Sequence, residues 1–241
     1  MISLSVVMPF YKRFDLLDRT LLRNARCFSP DMELVLVADE PSCEAQVLQL
    51  AQSWSAFRWT ILINRNDHEW RNPSKPINVG IRNARSDYVL ICSPETVWVT
   101  DVARELLAEA QKKPTHFHFG EIAFAEPNAI TTLEQFRQKP RMGCGSLCTT
   151  KENLERVRGY DETLIGWGAD DDNVRARLAL SKIYGIGHKH VASVHPPMKE
   201  KHRFYSKDTA ARIKEIVRPT SAEANAGVEW GVDFSEILYQ T

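Results

Sequence analysis

Ser3-Leu-Ser-Val-Val-Met-Pro-Phe-Tyr-Lys-Arg13 decides the fold class. Residues 3–8 form a short apolar run ending at Pro9, the pattern of a strand buried on both faces of a parallel sheet. Beyond the proline the chain presents aromatics and cations. Residues 14–27 then read as a helix with Leu16, Leu17, Leu21 and Leu22 on one face. The same unit recurs. Residues 33–38 are a second buried strand, stopped by Asp39-Glu40-Pro41-Ser42, and a helix follows through 45–51. Residues 59–63 are a third strand, 77–84 a helix, and 88–92 a fourth strand. Strand and helix alternating at this short spacing predict an α/β sheet with right-handed crossovers. In such sheets ligands bind beyond the carboxyl ends of the strands. The segments predicted there are residues 9–13, the pair Asp39 and Glu40, and Ser93-Pro94-Glu95. No glycine-rich phosphate loop or dinucleotide fingerprint follows the first strand, which counts against a nicotinamide or flavin enzyme.

Beyond a helix expected at 101–111 the alternation loosens. Residues 115–120 alternate like a strand, 126–141 are irregular and contain proline, and 190–194 read as a strand ended by His195-Pro-Pro. A helix through Ile213 and Ile216 is expected near the end; residues 221–241 yield no clear element.

Composition narrows the function classes. The chain of 241 residues, 43% hydrophobic and 26% charged, suits one large globular domain or two fused halves. Lys plus Arg equals Asp plus Glu at 31 each, so no global basic field points to nucleic acid or to a membrane surface. Five cysteines lack zinc or redox spacing, and Cys144 and Cys148 in a C-x3-C have no standard metal meaning. Reduced structural thiols in a cytoplasmic protein are expected. No leader pattern and no apolar run of membrane-spanning length is present in the sequence.

A second stretch carries the chemistry. Gly166-Trp-Gly-Ala-Asp-Asp-Asp172 delivers three consecutive carboxylates from a glycine-punctuated loop into a helical pattern with Val174 and Leu178. A helix N-terminus favours acidic residues, but three in a row exceed what capping needs, since each opposes ionisation of the others. An over-acidic cap on a surface helix is the plain alternative. The neighbouring tryptophan favours a platform for a sugar or base.

Three blocks together resemble the inverting nucleotide-sugar glycosyltransferases of GT-A fold, in particular the beta-1,4-galactosyltransferases and the chondroitin-polymerase-like bacterial enzymes. They are Met8-Pro-Phe-Tyr-Lys-Arg13, Lys75-Pro-Ile-Asn-Val-Gly80, and Gly159-Tyr-Asp-Glu162 with 166–172, in the family's order. The resemblance implies a GT-A, Rossmann-like, mixed and mainly parallel sheet flanked by helices. It implies a domain over 1–205, with a nucleotide-sugar half at 1–111 and an acceptor half at 112–205, and a helical C-terminal extension over 206–241. Carried across, Pro9, Phe10, Tyr11 and Arg13 match the loop near the base and diphosphate. Asp39 matches an acid near base or ribose, and Arg71, Lys75 and Asn78 match the border of the donor site. Trp167, Gly168 and Asp170 match acceptor contacts, and Asp171 takes the position of the catalytic base. Arg175, one helical turn on, either orients Asp171 or forms a solvated surface pair.

The family's Asp-x-Asp metal motif is replaced by Ser93-Pro94-Glu95. Glu95 and His195 are the expected metal ligands, with His188, His190 and His202 as competing imidazoles. Carboxylate plus imidazole suits Mn²⁺, or Mg²⁺. The expected function is transfer of a sugar from a UDP-sugar to an acceptor hydroxyl, on a glycan. The alternatives are a modified nucleobase in DNA or another macromolecule as acceptor, a non-catalytic nucleotide-sugar-binding protein, or nucleotidyl transfer. The last lacks the phosphate loop it would need.

Overall fold

The computed structural model describes residues 1–143, 146–166, 168–197 and 213–241. The first half is the repeated strand–helix unit: β1 (Leu4–Phe10), α1 (Phe14–Asn24), β2 (Met32–Ala38), α2 (Glu44–Ser53), β3 (Arg58–Ile63), α3 (Ser74–Asn83) and β4 (Tyr88–Ile91). β1 pairs in parallel with β2 and β4, and β2 with β3, in register Val6 to Leu34 and Leu34 to Trp59. Side chains alternate across a strand, so Leu4, Val6, Met8 and Phe10 face one core with Leu17, Leu21, Val47 and Leu106. Val7, Val35 and Val37 face the other with Ile77, Val79 and Ile81. Both faces are covered, which is why these strands read as unbroken apolar runs. Pro9, expected to end β1, lies within it opposite Val37. Its missing N–H is tolerated at the penultimate position because pairing with β4 stops at Val7.

The second half adds β5 (Val97–Trp98), α4 (Val102–Lys112), β6 (Phe117–Phe124), α5 (Leu133–Arg137), β7 (Arg141–Met142), β8 (Leu147–Thr150), α6 (Lys151–Arg156), α7 (Asp170–Leu180), β9 (Gly185–His195) and β10 (Ile237–Gln240). One mixed sheet runs β10-β3-β2-β1-β4-β8-β6-β9-β5, with β7 on β6. β8 joins the halves by pairing antiparallel with both β4 and β6. β6 is longer than the sequence pattern indicated because its far end pairs with β7 and β9. The irregular stretch at 126–141 contains α5, closed by a capping box between Thr132 and Gln135. In the expected C-terminal helix, residues 206–212 lie outside the described residues and 213–216 are helical.

Residues 221–241 are part of the packed body. Trp230 is buried in the α3–α7 core, and β10 extends the sheet beyond β3. Among the described residues no helix is long and apolar enough to cross a membrane. Cys27, Cys43, Cys92 and Cys148 are buried and unpaired, and burial pushes the Cys92 and Cys148 thiols up to about 12.

Candidate active site

The ends of β1, β2, β4 and β9 and the N-terminus of α7 open onto one cleft of about 1020 Å³. That volume suits a nucleotide-sized ligand with room beside it. Of the residues singled out in the sequence, Pro9, Phe10, Tyr11, Arg13, Asp39, Arg71, Glu95, Gly168, Asp170, Asp171 and His195 line it. Lys75 and Asn78 do not. Lys75 pairs with Asp233 at 3.1 Å. Asn78 is buried and braces the acidic loop: its amide donates to the Tyr160 carbonyl and to Glu162 at 2.8 Å, and its oxygen accepts the Tyr160 N–H. Trp167 and His202 lie outside the described residues.

At one end, β2 delivers Asp39, nearly inaccessible, against the guanidinium of Arg71. Arg71 Nε donates to Oδ2 at 2.8 Å and Nη2 to Oδ1 at 2.6 Å, a two-pronged pair. Asn64 Nδ2 adds a bond to Oδ1 at 2.9 Å. Burial pulls the Arg71 guanidinium down, but its bonds to Asp39 and Asp233 outweigh this and raise it. Tyr11 stacks on His68 with ring centroids 5.3 Å apart and donates its hydroxyl to the His68 carbonyl. This fixes the loop after β1 against the loop before α3.

Glu95 and His195, which also line the cleft, converge from the ends of β4 and β9. Arg13 Nη1 lies 2.7 Å from Glu95 Oε1, and His195 Nε2 lies 3.7 Å from Oε2. His195 Nδ1 is 2.8 Å from the Pro196 carbonyl. A carbonyl only accepts, so Nδ1 carries a proton, and when the ring is neutral Nε2 presents its lone pair toward the carboxylate. Two lone-pair donors facing one another call for a cation or a proton between them. An imidazole nitrogen and a carboxylate oxygen are suitable ligands for Mn²⁺. Among the described residues no third His, Cys, Asp or Glu completes a metal cluster. A metal held by Glu95 and His195 would therefore have to take its remaining ligands from a bound diphosphate and water. Ser93 supports the turn, its Oγ accepting the Glu95 N–H at 3.3 Å.

The acidic block lines the same cleft. Asp170, Asp171 and Asp172 occupy the first turn of α7, and the residue preceding the helix is Ala169, at φ 67° and without a capping side chain. That left-handed conformation is costly for a residue with a Cβ. With Gly166 at φ 86° and Gly168 at φ 85° it turns the chain sharply, so that the first helical turn faces the cleft. Burial, then the Asp171 charge, pushes the Asp170 carboxyl up to about 7. Loss of hydration beside the surrounding protein also raises Asp171, although its side chain reaches solvent, and the Arg175 cation opposes this. Arg175 lies over the Phe119 ring at 5.1 Å. Both carboxyls are thus raised above the ordinary aspartate value, the direction a proton acceptor needs.

Sequence reasoning missed five contributors. Asn72 is buried, donates to the Gly166 carbonyl at 2.9 Å and accepts the Ser74 N–H and hydroxyl, tying the start of α3 to the acidic loop. Trp70 lines the cleft while 39% exposed, and Phe124 and Met142 form an apolar wall nearby. Asp233 reaches Arg71 from the C-terminal segment. Only Trp70, an aromatic beside Arg71, carried a readable signal.

Comparison with known proteins places this cleft in context. The family model described as Glycosyl transferase family 2 matches residues 5–142, and the one described as N-terminal domain of galactosyltransferase matches 131–205. A chondroitin synthase of Pasteurella multocida (strain Pm70) is 25% identical over 73% of this chain; the chain spans 23% of that protein's length. The mannosyltransferase PcManGT of Pyrobaculum calidifontis, solved with GDP-Man and Mn²⁺, is similar in structure with a TM-score of 0.57, at 19% identity over 88% of this chain and 60% of that one. GalNAc-T7, solved with UDP, GalNAc and Mn²⁺, gives 0.68 at 14% identity, over 89% of this chain and 48% of that one. At these identities the two structures establish the shared GT-A fold.

Proposed function

Because the chain belongs to glycosyl transferase family 2, we propose that it is an inverting glycosyltransferase that moves a sugar from a UDP-sugar to a glycan hydroxyl. The observation that carries this reading is the carboxylate pair Asp170 and Asp171, with raised proton affinity, opening on the same cleft as the Asp39–Arg71 and Arg13–Glu95–His195 groups.

The hydrogen bonds of Asp39 support a uracil. Its Oδ1 already accepts from Arg71 and Asn64, whereas Oδ2 accepts from Arg71 alone. One lone pair is left, enough for the single N–H of a uracil edge; the two adjacent N–H groups of guanine would need both oxygens. The donor's diphosphate then lies toward Arg13, whose guanidinium can leave Glu95 for phosphate oxygens. Glu95 and His195 would hold Mn²⁺, which when bound supplies Lewis-acid stabilisation of the leaving diphosphate. Across the cleft, Asp171 accepts the proton of the acceptor hydroxyl as that oxygen attacks the anomeric carbon from the face opposite the diphosphate. Asp170 holds a second acceptor hydroxyl by hydrogen bond, and Trp70, Phe124 and Met142 offer apolar surface to sugar rings. Similarity to a chondroitin synthase supports a glycan acceptor. In this reading residues 1–111 bind the donor and 112–205 the acceptor.

Asp171→Asn removes the proton acceptor while keeping its shape. Transfer should fall by about 10²–10⁴-fold, with UDP affinity, measured by calorimetry with Mn²⁺, within about threefold of wild type. Transfer at the wild-type rate would remove Asp171 as the base.

A further inference from the structure

We propose that Asp233, in the segment leading to β10, is a positioning residue for the nucleotide end of the cleft. It acts through Arg71, and the inference rests on the reading of that end as the donor site. Asp233 does not line the cleft itself, whereas Arg71 does. The Arg71 Nη2 group lies between two carboxylates, 2.6 Å from Asp39 Oδ1 and 2.7 Å from Asp233 Oδ2. Lys75 Nζ holds the other oxygen of Asp233 at 3.1 Å. Two cations and two carboxylates therefore alternate from α3 to the cleft wall. Burial raises the Asp233 carboxyl, but bonds to Arg71 and Lys75 outweigh it and hold it below the ordinary aspartate range.

The backbone that carries Asp233 is fixed from several directions. Gly231 sits at φ 70° so close to α3 that an added Cβ would lie 2.8 Å from the Asn78 carbonyl oxygen. Its N–H donates to Glu162 Oε1 at 2.7 Å. Trp230 is buried beneath Arg82, and β10 pairs with β3 a few residues on. The carboxylate is thus presented to Arg71 by an anchored chain. Without it Arg71 keeps its pair with Asp39 but loses the contact that fixes the outer side of the guanidinium, and Lys75 is left facing a second cation. A guanidinium held on one side only can swing from the plane in which it braces Asp39, and the lone pair offered to the base is displaced with it.

The test uses the full chain with Asp233→Asn and Asp233→Glu, UDP calorimetry in Mn²⁺, donor kinetics, and Tm measured alongside. Asp233→Asn is expected to raise both the UDP Kd and the donor KM by about tenfold, the scale of losing one charge-assisted bond, with kcat at saturating donor changing less. Asp233→Glu should restore most of the affinity. In an Arg71→Ala background the same substitution should add little, because its effect passes through Arg71. A UDP Kd within twofold of wild type, or a loss undiminished by Arg71→Ala, overturns the proposal. A lowered Tm with unchanged Kd for the folded fraction assigns Asp233 to stability alone and also overturns it. If wild type binds neither UDP nor GDP, the donor reading itself has failed and this inference falls with it.

Discussion

As the proposed base, Asp171 is subject to two opposing influences. Loss of hydration beside the surrounding protein raises its proton affinity, and the Arg175 cation one helical turn on lowers it. A general base works only when ionised, so activity is present above the folded-state value and is lost as pH falls through it. Removing the Arg175 charge raises that value. Arg175→Gln should therefore move the acid limb of the kcat/KM–pH profile to higher pH, while the plateau at alkaline pH changes little. An unmoved limb would mean that Arg175 does not act on the pair. Because Asp170 and Asp171 interact, the limb reports the pair and not one residue. At this scale the sequence was informative wherever residue type announced its chemistry: three carboxylates, an arginine after a strand, a histidine beside two prolines. It was silent about Asn72 and Asp233. Their importance comes from partners 94 and 162 residues away, Gly166 and Arg71, and an isolated polar side chain in a loop has no periodicity to reveal it.

Among the elements, α3 packs on the sheet and, through Asn78, braces the acidic loop. Its Gly80 lets the helix approach the sheet so closely that an added Cβ would lie 2.5 Å from Val7 Cγ1 and 2.9 Å from Val37 Cγ2. Both valines are β-branched, fully buried and held in paired strands, so neither can move aside cheaply. Gly80→Ala should gain helix propensity yet destabilise the protein by about 1–3 kcal/mol through overpacking. Tm in a thermal melt should fall by several degrees; a rise would show that helix and sheet separate without cost. The strands and helices of the first half were legible because both faces are buried and the apolar runs are long. β8, β10 and α6 were not. β8 has four residues between two pairing partners, and β10 is an edge strand with Ile237 exposed. Neither develops the length or alternation that marks a strand by itself, and each exists because an open strand edge was there to pair with.

Across the whole molecule, the sheet brings together groups that the chain keeps far apart. Arg13 follows β1, Glu95 follows β4, and His195 ends β9, which reaches β4 only through β6 and β8. In the proposed reading these groups make a divalent-cation site with two protein ligands, Glu95 and His195, the first of them paired with the Arg13 guanidinium at 2.7 Å. A metal arriving alone must displace that arginine and satisfy most of its coordination with water. Once a diphosphate is present, Arg13 has an alternative anion and the metal gains oxygen ligands. Binding of the two should therefore be mutually reinforcing. In thermal-shift measurements Mn²⁺ or UDP alone should raise Tm slightly. Together, at about 100 times their joint Kd, they should stabilise by about 2.7 kcal/mol, a rise of roughly 5–10 degrees for a domain of this size. Glu95→Ala should reduce the combined shift to the sum of the separate ones, since the carboxylate that couples the metal to the sheet is gone. If the full combined shift survives in that variant, Glu95 is no ligand, and the Ser93-Pro94-Glu95 turn serves only to shape the cleft wall.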